Sequence, residues 1–229
     1  MSLLLVTILP SILIVGFIVS ADKFQEPTSA IIKIFSYGIL ITIPAFFINT
    51  YLGNFFSTFG INENIISSFL TAAPVEEGLK FIILFFVVYN MKEFNEPIDG
   101  MVYGVTVSLG FATLENFYYV YALADHFETK SIYLAILRSF SAIPAHGLFG
   151  AFMGYYFMKH SYITKKNNLD LAIFVPFLLH GFYNYLVTIN FLLTLIFLII
   201  FWIIILRLFN GLRKSQIEKK REFEKKVLK

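Results

Sequence analysis

The sequence predicts an all-α membrane protein, a polytopic helix bundle of about seven transmembrane helices with a short basic C-terminal tail. Three observations carry that prediction. The 229 residues are 58% apolar and only 14% charged, against about 45–50% and about 25% in soluble domains. A soluble chain of this length leaves too much surface in water to hide such an excess. Seven apolar runs reach or approach the roughly 20 residues that a hydrocarbon core of about 30 Å requires. The Lys and Arg residues fall almost entirely on one side of the resulting topology. Cysteine is absent, which excludes a disulfide framework, a thiolate metal site and a cysteine nucleophile.

The first run, Leu3–Val19, ends in the small-residue sequence Val19-Ser20-Ala21. Met1–Leu5 carries no Lys or Arg, so the positive region of a signal peptide is missing and a retained helix is expected. The following runs are Ile31–Ile48, Ile65–Tyr89, Met101–Leu123, Ile132–Met158, Leu171–Leu186 and Ile189–Leu208. Continuous apolar stretches such as Phe191–Leu206 exclude a β-barrel, whose strands alternate. No internal repeat or long linker divides the chain. One membrane domain over residues 1–210 is expected, followed by a tail over 211–229.

An external N-terminus places Lys23, Lys92, Lys159, Lys165, Lys166 and the eight cations of the tail in the cytoplasm, and only Lys130 outside. The C-terminus is therefore expected in the cytoplasm. The tail, RKSQIEKKREFEKKVLK, interleaves Glu218, Glu222 and Glu224 with its cations and offers no aromatic platform. It reads as a topology anchor and a helix attracted to anionic lipid, not as a nucleic-acid arm.

Charge inside a bilayer is costly, so each such residue is a functional candidate. The third run carries Glu76, Glu77 and Lys80, the fourth Glu115 and the fifth Arg138, while His146 and His180 sit in the fifth and sixth. At 1.5 Å per residue, Glu76 lies roughly 16 Å from the outer end of its run and Glu115 roughly 21 Å from the inner end of its own. The same arithmetic puts His146 roughly 21 Å below the outer end and His180 roughly 14 Å above the inner end. Four helices thus bring acid and imidazole to one layer near the midplane. Lys80 follows Glu76 by four and Glu77 by three, so it is able to partner either carboxylate. Asn184 shares a face with His180, as Phe111 does with Glu115.

Other polar residues have plainer readings. Arg138, about six residues inside its run, is expected to snorkel outward. His126 and His160 fall in loops and are expected to be solvated. Pro144 should distort the helix near His146. Gly150 and Gly154 match a small-xxx-small packing pattern, and Asp99-Gly100 is expected to cap the fourth helix.

The motifs Glu76-Glu77-Gly78-Leu79-Lys80 and Phe111-Ala112-Thr113-Leu114-Glu115-Asn116, with the segments around His146 and His180, resemble those of the PrsW family of intramembrane proteases. The likeness spans roughly residues 65 to 190, with motifs in family order. It implies a bacterial multi-pass peptidase of the inner membrane, related to the CAAX-prenyl protease and CPBP group. The implied partner is a single-pass membrane protein, an anti-sigma factor that receives its first, site-1-type cut in a stress response. Carried over by motif, Glu76 and Glu77 are the essential carboxylates and His180 the essential histidine, with Glu115 and His146 completing the catalytic set. Lys80, Asn116 and Asn184 are positioning or oxyanion candidates. Glu115 stands where the wider group usually offers a histidine.

Two mechanisms stay open on the residues alone. In one, Glu76 is a general base while His180 and Asn184 stabilise the oxyanion. In the other, His146, His180 and Glu115 hold a zinc ion and Glu76 or Glu77 is the base. A serine elbow is absent, the nearest run being Thr106-Val107-Ser108-Leu109-Gly110. The alternatives from other classes are a proton- or ion-coupled transporter, which lacks here the repeated second half, and a non-catalytic membrane scaffold.

Overall fold

The computed structural model describes residues 2–124, 130–163 and 168–227, and among these every regular element is a helix. Helix α1 (Leu3–Ala21) starts at Ser2, whose hydroxyl accepts from the Leu5 amide. Helix α2 (Thr28–Ser57) follows Pro27. The third run begins with α3 (Glu63–Ile65), capped by Asn62, and opens into a π-helical stretch over Ile66–Ala72. It then tightens into α4 (Ala73–Phe86). Pro74 has no amide to donate backwards, so the turn before it widens. Thr71 fills the gap by donating its hydroxyl to the carbonyls of Ile66 and Ser67 at 3.2 and 3.1 Å.

Helix α5 (Asp99–Ala122) is the axis of the bundle, since every residue from Asp99 to Thr113 is buried. It packs chiefly against α2 and against α7 (Ala142–Met158). That contact is a seam of glycines: Gly100 and Gly104 of α5 face Gly150 and Gly154 of α7. A Cβ added at any of the four would overlap backbone of the opposite helix. The small-xxx-small reading of Gly150 and Gly154 therefore holds, and a matching pair on α5 completes it. Gly38 of α2 meets Gly110 of α5 in the same way.

The run 132–158 is broken at Ser141, where φ −124° and ψ −71° separate α6 (Ser131–Phe140) from α7. Pro144 explains the break, because it cannot bond the carbonyl of Phe140. A π-helical turn over Lys159–Ile163 holds His160, half-buried instead of solvated. His126, Lys165 and Lys166 lie outside the described residues. Helix α8 (Asn168–Ile189) and helix α9 (Phe191–Val227) close the chain, and the basic tail continues α9 without interruption.

Five helical stretches are long and apolar enough to cross a membrane: Leu3–Ala21, Thr28–Ser57, Ser131–Ile163, Asn168–Ile189 and Phe191–Glu218. Their outer faces expose large apolar side chains such as Leu13, Phe47 and Leu192, which suits contact with lipid. The π-helical stretch with α4, and α5, fall short of that measure because they carry the polar residues of the interior. The lipid-facing helices thus enclose a polar pair. Asp99 departs from expectation: it begins α5, yet its carboxylate turns backwards to accept from the amides of Asn95 and Glu96.

Candidate active site

The widened turn precedes Glu76 and Glu77 in the first helical turns of α4, with Glu76 meeting Asn49 of α2 and Glu77 meeting His180 of α8. Glu77 and Lys80 are completely buried. Lys80 Nζ donates to Glu77 Oε1 at 2.7 Å and lies 3.1 Å from His146 Nδ1, so the lysine chooses the i,i+3 partner. It also sits 4.4 Å from the centre of the Phe111 ring, a cation–π contact. His180 Nδ1 approaches Glu77 Oε1 at 2.8 Å. Phe149 stacks on the His180 imidazole at 5.0 Å and 19°, fixing its plane.

His146, on α7 just after the Ser141 break, reaches across to α5, where its Nε2 meets Glu115 Oε2 at 2.8 Å. With the Lys80 ammonium at Nδ1, that nitrogen accepts and Nε2–H donates to the carboxylate. Arg138 corrects a sequence expectation. It does not snorkel: its Nη2 pairs with Glu115 Oε2 at 3.0 Å and its Nε donates to Asn116 Oδ1 at 2.8 Å. Asn116 in turn donates to the Thr7 carbonyl at 2.8 Å, tying α1 to α5. The Ser141 break separates α6 from α7, and from the end of α6 the Arg138 side chain reaches α5.

Glu76 differs from the other two carboxylates. Its Oε1 accepts from Asn49 Nδ2 at 3.3 Å. Its Oε2 is buried with no hydrogen-bond partner and stands 3.9 Å from His180 Nε2. Among the described residues no Lys or Arg pairs with it. Glu76 and Glu115 also line a cavity of about 660 Å³ between α2 and α5, walled by Phe46, Phe111, Phe117 and Tyr118. A buried carboxylate with a partnerless oxygen, on the wall of an apolar cavity, suits a reacting centre.

Residues 26–208 match the family described as PrsW family intramembrane metalloprotease. The chain belongs to that family. A protein named Protease PrsW from Oceanobacillus iheyensis is 38% identical over 82% of this chain and 83% of its own length. Its namesake from Clostridioides difficile is 32% identical over 99% and 94%, and that from Bacillus subtilis 34% over 79% and 80%. No solved structure matches. The chain is thus a PrsW-family intramembrane protease, multi-pass and helical.

The family description implies a metal, and the donors present fit one. One ligand atom each from Glu76, His146 and His180 lies within 4.8 Å of the other two, and Glu76 supplies an orphaned buried oxygen. Two histidines and a carboxylate form an accepted catalytic zinc set. The carboxylate in this group is Glu76, whereas Glu115 is held by Arg138 and His146. Both ring nitrogens of His146 are engaged, so a metal would take one from Lys80 or Glu115.

The five catalytic candidates, Glu76, Glu77, Glu115, His146 and His180, form one connected network with Lys80. Asn116 touches it only through Arg138. Asn184 is half-buried one turn beyond His180, and no hydrogen bond joins it to the cluster among the described residues. Sequence reasoning missed Asn49, a lone amide in the apolar run Phe46-Phe47-Ile48-Asn49 of α2. It also missed the inward course of Arg138, whose signal was Pro144 three residues past the break.

Proposed function

We propose that this protein is an endopeptidase that cuts a single-pass membrane protein, with Glu76 as the group that activates water. The observation that carries this reading is the 3.9 Å gap between the partnerless Glu76 Oε2 and His180 Nε2, on a glutamate that also lines the α2–α5 cavity. A water at the apex of that gap would bond both atoms. Glu77 accepts the Nδ1 proton of His180, which leaves Nε2 as a bare acceptor facing Glu76. Glu76 then takes a proton from the water as it attacks the peptide carbonyl, and returns it to the leaving amine. Asn49 steadies Glu76 and presents an amide on the cavity wall. Glu115, Lys80 and Arg138 hold this geometry by charge, and His146 by its hydrogen bonds to Lys80 and Glu115. Zinc on Glu76, His146 and His180 would supply a water acidified to about neutral pH.

The cavity supports this substrate class. Its walls are largely aromatic and it lies between the outer halves of α2 and α5 in the orientation that the cation asymmetry favours, with the N-terminus outside the cell membrane. An unwound stretch of a membrane-spanning segment would enter there, which agrees with a site-1-type cut in an anti-sigma factor. Purified protein in detergent with a labelled single-pass substrate tests the reading. Wild-type protein should cleave, and Glu76→Gln and His180→Ala should not. Equal cleavage by wild type and both variants would refute it.

A further inference from the structure

A second polar cluster sits at the other end of α5, roughly 24 Å along the helix from Glu115. Asp22 ends α1, Glu26 precedes α2 and Asp99 begins α5, and all three side chains are more than nine-tenths buried. One oxygen from each lies within 4.8 Å of the other two. The neighbours account for only part of this oxygen. Asp22 Oδ1 accepts from the Phe24 amide at 3.0 Å and from Gln216 Nε2 at 2.9 Å. Asp99 Oδ2 accepts from the amides of Asn95 and Glu96 at 2.8 and 2.6 Å, and Tyr103 donates to Glu26 Oε2. Asp22 Oδ2 and Asp99 Oδ1 are buried with no partner at all.

Three buried carboxylates need compensation, because an unpaired buried charge costs several kcal/mol. Among the described residues no Lys or Arg forms an ion pair with any of them; Lys23 and Lys92 are exposed. A cavity of about 360 Å³, lined by Glu26, Lys92, Glu93 and Asn95, adjoins the cluster from solvent. An all-oxygen, carboxylate-rich donor set without nitrogen or sulfur suits a hard divalent cation.

We propose that Asp22, Glu26 and Asp99 bind a hard divalent cation, Ca²⁺ or Mg²⁺, at a structural site distinct from the catalytic cluster. The ion clasps the α1–α2 connection to the start of α5. Gln216 Nε2 donates to both Asp22 Oδ1 and Glu96 Oε2, so the same clasp fastens α9 and its basic end to the bundle. The site is empty of nitrogen ligands, which separates its metal preference from that of the histidine-containing centre.

Protein in detergent is stripped with EDTA and titrated separately with CaCl₂, MgCl₂ and ZnCl₂ while thermal unfolding is followed. The wild type should gain roughly 5–10 °C at a hundredfold excess of Ca²⁺ or Mg²⁺ over Kd. Asp99→Asn and Asp22→Asn should lose that gain while keeping any response to Zn²⁺. Equilibrium dialysis should count one Ca²⁺ or Mg²⁺ per chain bound by wild type and not by either variant. Should Asp99→Asn fail to fold, Glu26→Gln serves in its place. No cation response in the wild type, or an equal response and stoichiometry in the variants, overturns the proposal.

Discussion

Replacing Lys80 by Met removes a charge and keeps most of the side-chain volume. Lys80 is wholly buried between Glu77 Oε1 at 2.7 Å and His146 Nδ1 at 3.1 Å. Its loss leaves Glu77, equally buried, with His180 as its remaining partner. Breaking a buried pair by removing one member costs about 3–5 kcal/mol. For a chain of this size that is a fall in Tm of roughly 6–20 °C. Removing both members behaves differently, since an apolar pair of similar volume often replaces a buried ion pair at little cost. Lys80→Met combined with Glu77→Leu should therefore recover most of the lost Tm. Activity should not return, because His180 then has no carboxylate to hold its Nδ1 proton. Thermal unfolding in detergent and cleavage of a labelled single-pass substrate read the two effects separately. A single variant as stable as wild type, or a double variant as unstable as the single, would refute the pairing argument. A double variant that cleaves normally would refute the role of Glu77.

Gly104→Ala should cost about 1–3 kcal/mol by forcing the α5–α7 seam apart, seen as a lower Tm; an unchanged Tm would contradict the seam. Arg138→Lys keeps the charge but not the fork that spans Glu115 and Asn116, and should lower kcat about tenfold with little change in KM. Asn49→Leu leaves Glu76 Oε1 without its donor and should lower kcat/KM by roughly ten- to a hundredfold, an effect worth about 1.4–2.7 kcal/mol. In the zinc form of the reaction, exhaustive chelation should abolish cleavage and added ZnCl₂ restore it, whereas a rate indifferent to chelator would remove metal from the catalytic set.

Much of the site was legible because the bilayer makes charge conspicuous. Glu76, Glu77, Lys80 and Glu115 stand out of apolar runs, and helical rise alone carries them to one depth. What sequence reasoning lost was orientation. Arg138 looked shallow by residue count, but the Ser141 break redirects α6, and a count along a straight helix cannot register that turn. Asn49 is one neutral amide just past the apolar run Ile31–Ile48 and carries no periodic signal. Lys80 had two carboxylates at permitted spacings, and only the π-helical turn before Pro74, with α7 and α8 in place, decides for Glu77. Asp99 fitted a cap by position, although its carboxylate bonds backwards and lies close to Asp22 and Glu26 from the α1–α2 connection. These choices depend on contacts between segments far apart in the chain.

The same contacts separate the roles of the adjacent glutamates. Glu77 is matched by Lys80, and Glu115 by Arg138. With neutral imidazoles, the network holds three carboxylates and two permanent cations, and Glu76 is the one left over. In a low-dielectric interior an unmatched carboxylate is the place where arriving positive charge is most strongly held. That charge is a proton drawn from water in one form of the proposed reaction and a zinc ion in the other. Either way the group it meets is Glu76, whose partnerless Oε2 stands 3.9 Å from His180 Nε2. A carboxylate already held by two partners, as Glu77 is, would have to break those bonds before it could take up a proton. Glu77 is thus built to stay ionised and orient His180, and Glu76 to change state during the reaction. Glu77→Gln should accordingly misplace His180 and retain a residue of activity, whereas Glu76→Gln, with a near-identical shape, should retain none above background in the cleavage assay.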